Sequence, residues 1–436
     1  MNNTYGCRRR RFIPAAGKPQ LPLIFALLVL TLSFILLSGA SWAATRTAAS
    51  CSAADVQAAI DAAIAGDTVM VPSGSASWSG GVYLRKAITL KGGNGGTTTI
   101  TDGSLNFIAN DARFCYFTFT GGSIEVSGCT RGLIDHITLN STSASIEFIH
   151  VYGPNNAWAS DSTIGTAENI FVEDCSFTAG GGSAQCTHVN YNGRVVFRHN
   201  TITSMKFDMH GIWSNGSPSN YCNWTTYTDP GYISNAHSAR HCEVYANTWN
   251  GGASNGCMEL RGGTGVIYNN TMTIGAAADS ITLRDYCASS TDGNCCGTKC
   301  PANYPWRDQI GRGKNQTLEP MYLWNNTANG DQLVGYYHSE TPNDWHKIIH
   351  FESILSAAHV TACGELDPGW TSGGATMCDM TSVAQENRDY YVSQRSGYVA
   401  YTYPHPLQGV APAGAPSPPT GLKIIQYMLR HLTPTT

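Results

Sequence analysis

Val195-Val196-Phe197-Arg198-His199-Asn200-Thr201-Ile202 returns, loosely rewritten, as Glu243-Val244-Tyr245-Ala246-Asn247-Thr248-Trp249 and again as Val266-Ile267-Tyr268-Asn269-Asn270-Thr271-Met272. Each copy is a short β-branched or aromatic run that closes on Asn-Thr and one more apolar residue. Asn247 and Asn270 are 23 positions apart; Asn200 precedes Asn247 by 47, close to twice that and so readable as two repeats. Looser copies occupy residues 114–119, 133–139 and 170–177, and a later one reads Tyr322-Leu323-Trp324-Asn325-Asn326-Thr327. A repeat in the low twenties is the signature of a solenoid in which each repeat buries its apolar side only against its neighbours.

A coil of that length holds about three short strands at roughly 3.3 Å per residue, with a turn after each. The dense β-branched and aromatic residues of the copies favour strands. A recurrent Asn suits a turn, since Asn tolerates left-handed backbone angles and its amide can ladder with the Asn above and below. The expected fold is all-β: a right-handed parallel β-helix with coils of ~20–25 residues.

The first 43 residues read as an export signal. Arg8 to Arg11 and Lys18 form a basic start, residues 21–37 are strongly apolar, and Ser41-Trp42-Ala43 offers small residues for a peptidase. The alternative is a retained membrane anchor. The chain carries 26 Lys and Arg against 30 Asp and Glu. Removing those five basic residues leaves 21 against 30, a net charge of −9, which argues against nucleic acid as a partner. Charged residues are only 13% of the chain, against a usual ~25%. Fifteen cysteines, one of them in the signal, fit an exported protein with disulfides. Cys363 with Cys378 reads as a loop pair. Cys287, Cys295, Cys296 and Cys300 read as disulfides ahead of a zinc site, and Cys115 and Cys175 as buried thiols.

Residues 52–65 form the one convincing helix. Ser52 can cap it, Asp55 stands at its third position, and Val56, Ile60 and Ile64 share a stripe. An open solenoid end exposes strand edges to water and to further strands, so an amphipathic cap belongs there. Residues 44–410 are expected to be one β-helix domain, interrupted by a Cys- and Gly-rich insertion at 285–320 and an irregular one at 330–380. Residues 411–436 are a Pro-rich linker and short tail.

The run Asp55-Val56-Gln57-Ala58-Ala59-Ile60, followed by Gly66-Asp67-Thr68-Val69-Met70-Val71-Pro72-Ser73-Gly74, resembles the opening of secreted right-handed β-helix proteins of the pectate-lyase-like superfamily. Asp308-Gln309-Ile310-Gly311-Arg312-Gly313, residues 318–326, and Tyr401-Thr402-Tyr403-Pro404-His405-Pro406-Leu407 are similar to a bacterial subgroup of it. The resemblance covers about residues 50 to 410. It implies export to the medium, cell surface or periplasm and carbohydrate chemistry, commonly with calcium; the superfamily also holds hydrolases and non-catalytic proteins. The sequence shows no clear acidic cluster for calcium.

Met258-Glu259-Leu260-Arg261 and Ile281-Thr282-Leu283-Arg284 match position for position, 23 apart. Stepping back once reaches His237, and again His210, with His188 in the same phase. Stacked coils lie about 4.8 Å apart, so the register predicts one exposed column of Arg284, Arg261, Glu259, His237 and His210. That is what cleavage of an acidic polysaccharide by elimination needs. A cation neutralises the uronate carboxylate, a base takes the proton from the neighbouring carbon, and another group assists the leaving oxygen. Arg261 and Arg284 suit the carboxylate, and His210 or His237 suits the proton transfer; the resemblance implies Arg261 itself as the base. Hydrolysis instead needs two facing carboxylates, for which Glu259 with Asp208, Glu243 or Asp285 is the candidate set. Trp213, His188 and Asp285 are the candidate substrate contacts. No local pair of histidines with a carboxylate points to a metal. The reading is therefore a polysaccharide-cleaving protein, lyase ahead of hydrolase. The alternative is a non-catalytic surface or filament protein that self-associates edge to edge.

Overall fold

The computed structural model describes residues 43–409 except 155, 212–236, 254–255, 276–279, 285–307, 334–348, 353–365, 373–374 and 379–383. At 284, 349–352, 366–372 and 375–378 the strand path alone is described. The export segment, Trp213, Asp285, the cysteine cluster at 287–300, Cys363 and the Pro-rich tail therefore lie outside the described residues. Among the described residues, no helix is long and apolar enough to cross a membrane.

Most of the strands join one large, mostly parallel sheet, an arrangement compatible with a β-solenoid. Apart from the antiparallel hairpin of Leu366–Ser372 with Ala375–Cys378 and the short antiparallel Asp331–Gln332, the strands fall into three stacks. Stack A includes Ala112–Cys115, Gly132–Asp135, Ile170–Glu173, Arg194–Arg198, His241–Tyr245, Thr264–Tyr268 and Met321–Trp324. Stack B includes Thr138–Asn140, Ser176–Thr178, Thr201–Thr203, Thr248–Asn250 and Thr271–Thr273. Stack C includes Ser123–Ser127, Glu147–Tyr152, Gln185–Asn190, Lys206–Met209, Met258–Leu260 and Ile281–Arg284. Every copy of the repeated phrase runs from stack A into stack B.

Alternation along each strand sends every second side chain inward. In stack A the inward register is Phe114, Ile134, Val172, Phe197, Val244, Ile267 and Leu323, all buried. Stack B supplies Phe119, Leu139, Phe177, Ile202, Trp249 and Met272 to the same core. Burying each such side chain contributes roughly 1.5–3 kcal/mol.

Between stacks A and B runs a ladder of buried amides. Asn200 Nδ2 donates to Asn247 Oδ1 (3.0 Å), Asn247 Nδ2 to Asn270 Oδ1 (3.0 Å), and Asn270 Nδ2 to Asn326 Oδ1 (2.9 Å). Each amide also donates to a backbone carbonyl, and each Oδ1 accepts the backbone N–H of the Asn before it. The left-handed residue is the one before: His199, Ala246, Asn269 and Asn325 have φ of 56°, 55°, 55° and 52°. The ladder Asn is therefore chosen for its amide and not for its backbone freedom.

One spacing differs from the sequence reading. Val196 pairs directly with Glu243 and Ile202 with Trp249, so the 47 residues from Asn200 to Asn247 are one repeat carrying an insertion, not two repeats. The helix is Ala53–Ala62, with Ser52 Oγ accepting the Asp55 N–H (3.2 Å). Val56 and Ile60 are buried in the core, but Ile64 lies past the helix and is exposed, because the chain has already turned extended at Ala63. Cys115 and Cys175 are free buried thiols, as expected; Cys51, Cys129, Cys186 and Cys242 are free as well, so the expected disulfides do not form there.

Tyr390–Tyr391 extends stack A by pairing with Met321–Tyr322, and residues 398–409 then return across the outer side of that stack. Arg198, fully buried, donates to Glu173 (2.6 Å), to the Tyr245 hydroxyl (2.8 Å) and to the carbonyls of Tyr401 (2.7 Å) and Thr402 (2.8 Å). The N–H of His405 donates to Glu173 (2.9 Å). This strap leaves the outer side of stack C as the place where the candidate residues gather.

Candidate functional site

Parallel pairing in stack C lines up Glu125, His150, His188, Asp208, Glu259 and Thr282, one from each successive strand. Their neighbours along each strand, such as Ile149, Val189, Met209, Leu260 and Leu283, fill the core, so alternation turns this polar column outward. Glu259 and Leu260 thus face as the repeat register predicted. The column is not exposed as expected: Asp208 and Glu259 are fully buried, and Thr282, His188 and Arg261 are nearly so.

Burial forces the charges to pair. Arg261 donates to Glu259 (2.5 Å) and to Asp208 (3.1 Å), and Lys206 also bonds Glu259. Arg261 Nη1 approaches His210 Nε2 (3.1 Å), while His210 Nδ1 donates to the Gly211 carbonyl (2.9 Å). Arg261 is consequently paired with two carboxylates of its own chain and stands as an anchor for Asp208, Glu259 and His210. Asp208 Oδ1 and Thr282 Oγ1 are buried with no hydrogen-bond partner among the described residues.

Three histidines stack along the column: His150 and His188 from successive strands, and His210 just past the end of the next. His210 lies against His188 with ring centres 4.8 Å apart and an interplanar angle of 12°; His188 lies against His150 at 5.5 Å and 29°. Burial pushes His188 down to about 4 and lowers His210, so both imidazoles are neutral near pH 7. His150 is only half-buried. The Tyr152 hydroxyl donates to its Nδ1 (3.0 Å), and its Nε2–H donates to the Glu147 carbonyl (3.2 Å). Burial pushes the Tyr152 hydroxyl up to about 12. The Glu147 carboxylate, exposed, accepts from Gln185 (3.3 Å) and lies 3.6 Å from His188 Nδ1.

The structure thus joins Glu259, Arg261, His210 and His188, with Asp208 from the hydrolase set. It separates His237, whose place in the column depended on counting two repeats where there is one. His237 Nδ1 bonds Asp308 (2.8 Å), its ring stacks on Trp158 (5.6 Å), and Ser238 N–H donates to the same carboxylate (3.1 Å). Arg284 occupies its strand opposite Glu352; Trp213 and Asp285 lie outside the described residues. Glu243, the other hydrolase candidate, sits in stack A and bonds Tyr398 (2.6 Å).

Sequence reasoning missed Glu147, His150, Tyr152 and Lys206. Glu147 to Tyr152 pairs with Gln185 to Asn190 across 38 positions, a repeat lengthened by an insertion, so a fixed step of 23 passes it by. Only strand pairing brings these groups to the histidines. One nitrogen each of His150 and His188 and one Glu147 oxygen lie within 4.8 Å of one another. Calcium, implied by the family resemblance, takes six to eight oxygen ligands. A set with two imidazoles does not fit it.

No protein-family model matches the chain, and comparison with curated proteins returns no match.

Proposed function

We propose that this chain is an exported right-handed parallel β-helix, closed at its N-terminal end by the Ser52-capped helix, that binds and cleaves an acidic polysaccharide by elimination. The observation that carries this reading is the stack of imidazole rings in stack C, His210 on His188 on His150, leading from a buried ion network to the half-exposed Tyr152. Structural ion pairs alone do not call for aligned imidazoles that end on a partly exposed hydroxyl.

In a uronate, the carbon next to the carboxylate loses a proton to a base. The electrons form the carbon–carbon double bond, and the glycosidic carbon–oxygen bond breaks onto an oxygen that takes up a proton. Tyr152 is the proton-transferring group and His150 orients its hydroxyl. Arg261, pinned between Asp208 and Glu259, positions the stack from behind and is neither the base nor the carboxylate clamp. The net negative charge and sparse surface charge agree with an extracellular protein but do not select the substrate.

The test is a panel of acidic and neutral polysaccharides offered to the purified protein, following unsaturated uronate by ultraviolet absorbance and reducing ends by a chemical assay. Absorbance is expected with an acidic polymer. Tyr152→Phe should lower turnover by about 10²–10⁴-fold, the usual worth of a general acid or base, while binding persists. Reducing ends without absorbance would make the reaction hydrolysis, with Asp208 and Glu259 as the carboxylates to examine. Silence across the panel, with fibres formed by the same protein, would favour the surface-protein alternative.

A further inference from the structure

We propose that Glu147, His150 and His188 form a binding site for one divalent transition-metal ion of the zinc class, on the outer side of stack C. Three potential ligand atoms, two imidazole nitrogens and one carboxylate oxygen, already lie within 4.8 Å of one another. They come from two paired strands, Glu147–Tyr152 and Gln185–Asn190, in which His150 stands directly opposite His188. The strands hold the Cα positions, so ring rotation and a swing of the exposed Glu147 suffice to close ~2.0–2.1 Å bonds.

A second observation points to a ligand independently. His188 is 8% exposed, and its Nδ1 is buried without a hydrogen-bond partner, facing the Glu147 carboxylate across 3.6 Å. A buried polar nitrogen left unbonded costs stability, and an ion between it and the carboxylate satisfies both. The surroundings match those of metal-bound histidines, which usually spend their other ring N–H on a carbonyl or carboxylate. His150 Nε2–H already donates to the Glu147 carbonyl (3.2 Å), so on ion binding its single Nδ1 lone pair passes from the Tyr152 hydroxyl to the ion, and the hydroxyl, oriented by His150 while the site is empty, turns to the substrate. Gln185 Nε2 holds the second oxygen of Glu147 (3.3 Å).

Two imidazoles with one carboxylate suit zinc, cobalt or nickel and not calcium or magnesium. Three protein ligands leave a coordination position open, and Glu147 is 43% exposed, so that position faces solvent. On the polysaccharide reading, and resting on it, the open position takes a carboxylate oxygen of the substrate. The ion then supplies the positive charge that Arg261, committed to Asp208 and Glu259, does not.

The experiment uses the full-length protein, stripped with a chelator and titrated with Co(II) and Zn(II) at neutral pH. One equivalent of Co(II) is expected to give visible bands of a nitrogen- and oxygen-ligated ion, displaced by Zn(II). Glu147→Gln sits at the exposed edge and leaves the fold intact; it and His188→Ala should weaken Zn(II) binding at least as much as the ~10–100-fold lost with an outer-shell partner. His199→Ala, on another face, should leave the affinity unchanged. Failure to bind, equal binding by wild type and both site variants, or an intense near-ultraviolet sulfur-to-cobalt band from cysteine ligation would overturn the proposal. Stoichiometric binding lost in Glu147→Gln, with no polysaccharide turned over, would sustain the ion site and reject the polysaccharide reading alone.

Discussion

Asn247 has four buried hydrogen bonds riding on its amide: two received from Asn200 and two given, to the Phe197 carbonyl and to Asn270. Orphaned buried polar groups cost roughly 1–3 kcal/mol each. Asn247→Ala is therefore expected to lower unfolding free energy by about 3 kcal/mol or more in urea titration, whereas Asn250→Ala, at an exposed position, should cost little. A small loss at Asn247 would show that the ladder is incidental. The ladder was legible in the sequence because one Asn recurs beside the same apolar pattern, but its backbone was not. The left-handed turn falls one residue earlier, on His199, Ala246, Asn269 and Asn325, where no single residue type marks it. The candidate site was legible in part for a related reason. Repeat matching found Glu259, Arg261, His210 and His188, then misplaced His237 because an insertion doubled one spacing. Burial was not readable either, since matching two coils says which way Glu259 points and nothing about what lies over it.

At the scale of an element, the strap of residues 398–409 is held to stack A by side chains of the sheet. Arg198 reaches the carbonyls of Tyr401 and Thr402, and Arg113 those of Leu407 and Gln408 (both 3.4 Å). Arg198→Ala strands the buried Glu173 without its partner, a change that typically costs ~3–5 kcal/mol. Limited proteolysis is expected to cut the variant between residues 395 and 409 at protease levels that spare the wild type. Equal resistance would mean that Arg113 and the aromatic contacts of Phe171 with Tyr401 and His405 hold the strap without Arg198. His405 adds a pH dependence. Burial pushes it down to about 4, with the neighbouring Arg198 acting in the same direction, and its Nδ1 accepts the Leu407 N–H (3.1 Å). Its unfolded value is about 6.5, so the unfolded chain binds the extra proton first. Stability is full above pH 6.5 and lost as pH falls toward 4, by at most ~3 kcal/mol from this residue. The melting temperature should drop over that window, and less steeply in His405→Gln; a slope unchanged by the substitution would assign the loss to other groups.

At the scale of the whole molecule, the sheet converts distance in sequence into adjacency. His150 and His188 lie on successive strands and His210 just past the end of the next, although an insertion separates the first two. A solenoid of this kind tolerates long insertions between strands because each coil needs only its neighbours, and the polar column of stack C shows the same tolerance used to assemble a site. The parallel stacking and the apolar core were readable from the repeats. The site was readable only in part: His188 and His210 fell within the register, but Glu147, His150 and Tyr152 are related to them by pairing across an insertion and not by period. The most direct test is a structure determined with a bound acidic oligosaccharide, chosen from the polymer that the activity panel selects. The sugar is expected along the outer side of stack C, with a uronate within hydrogen-bond reach of the Tyr152 hydroxyl and beside Glu147 and His150. A sugar bound on another face, or one whose carboxylate is held far from these residues, would contradict the assignment of stack C as the working surface.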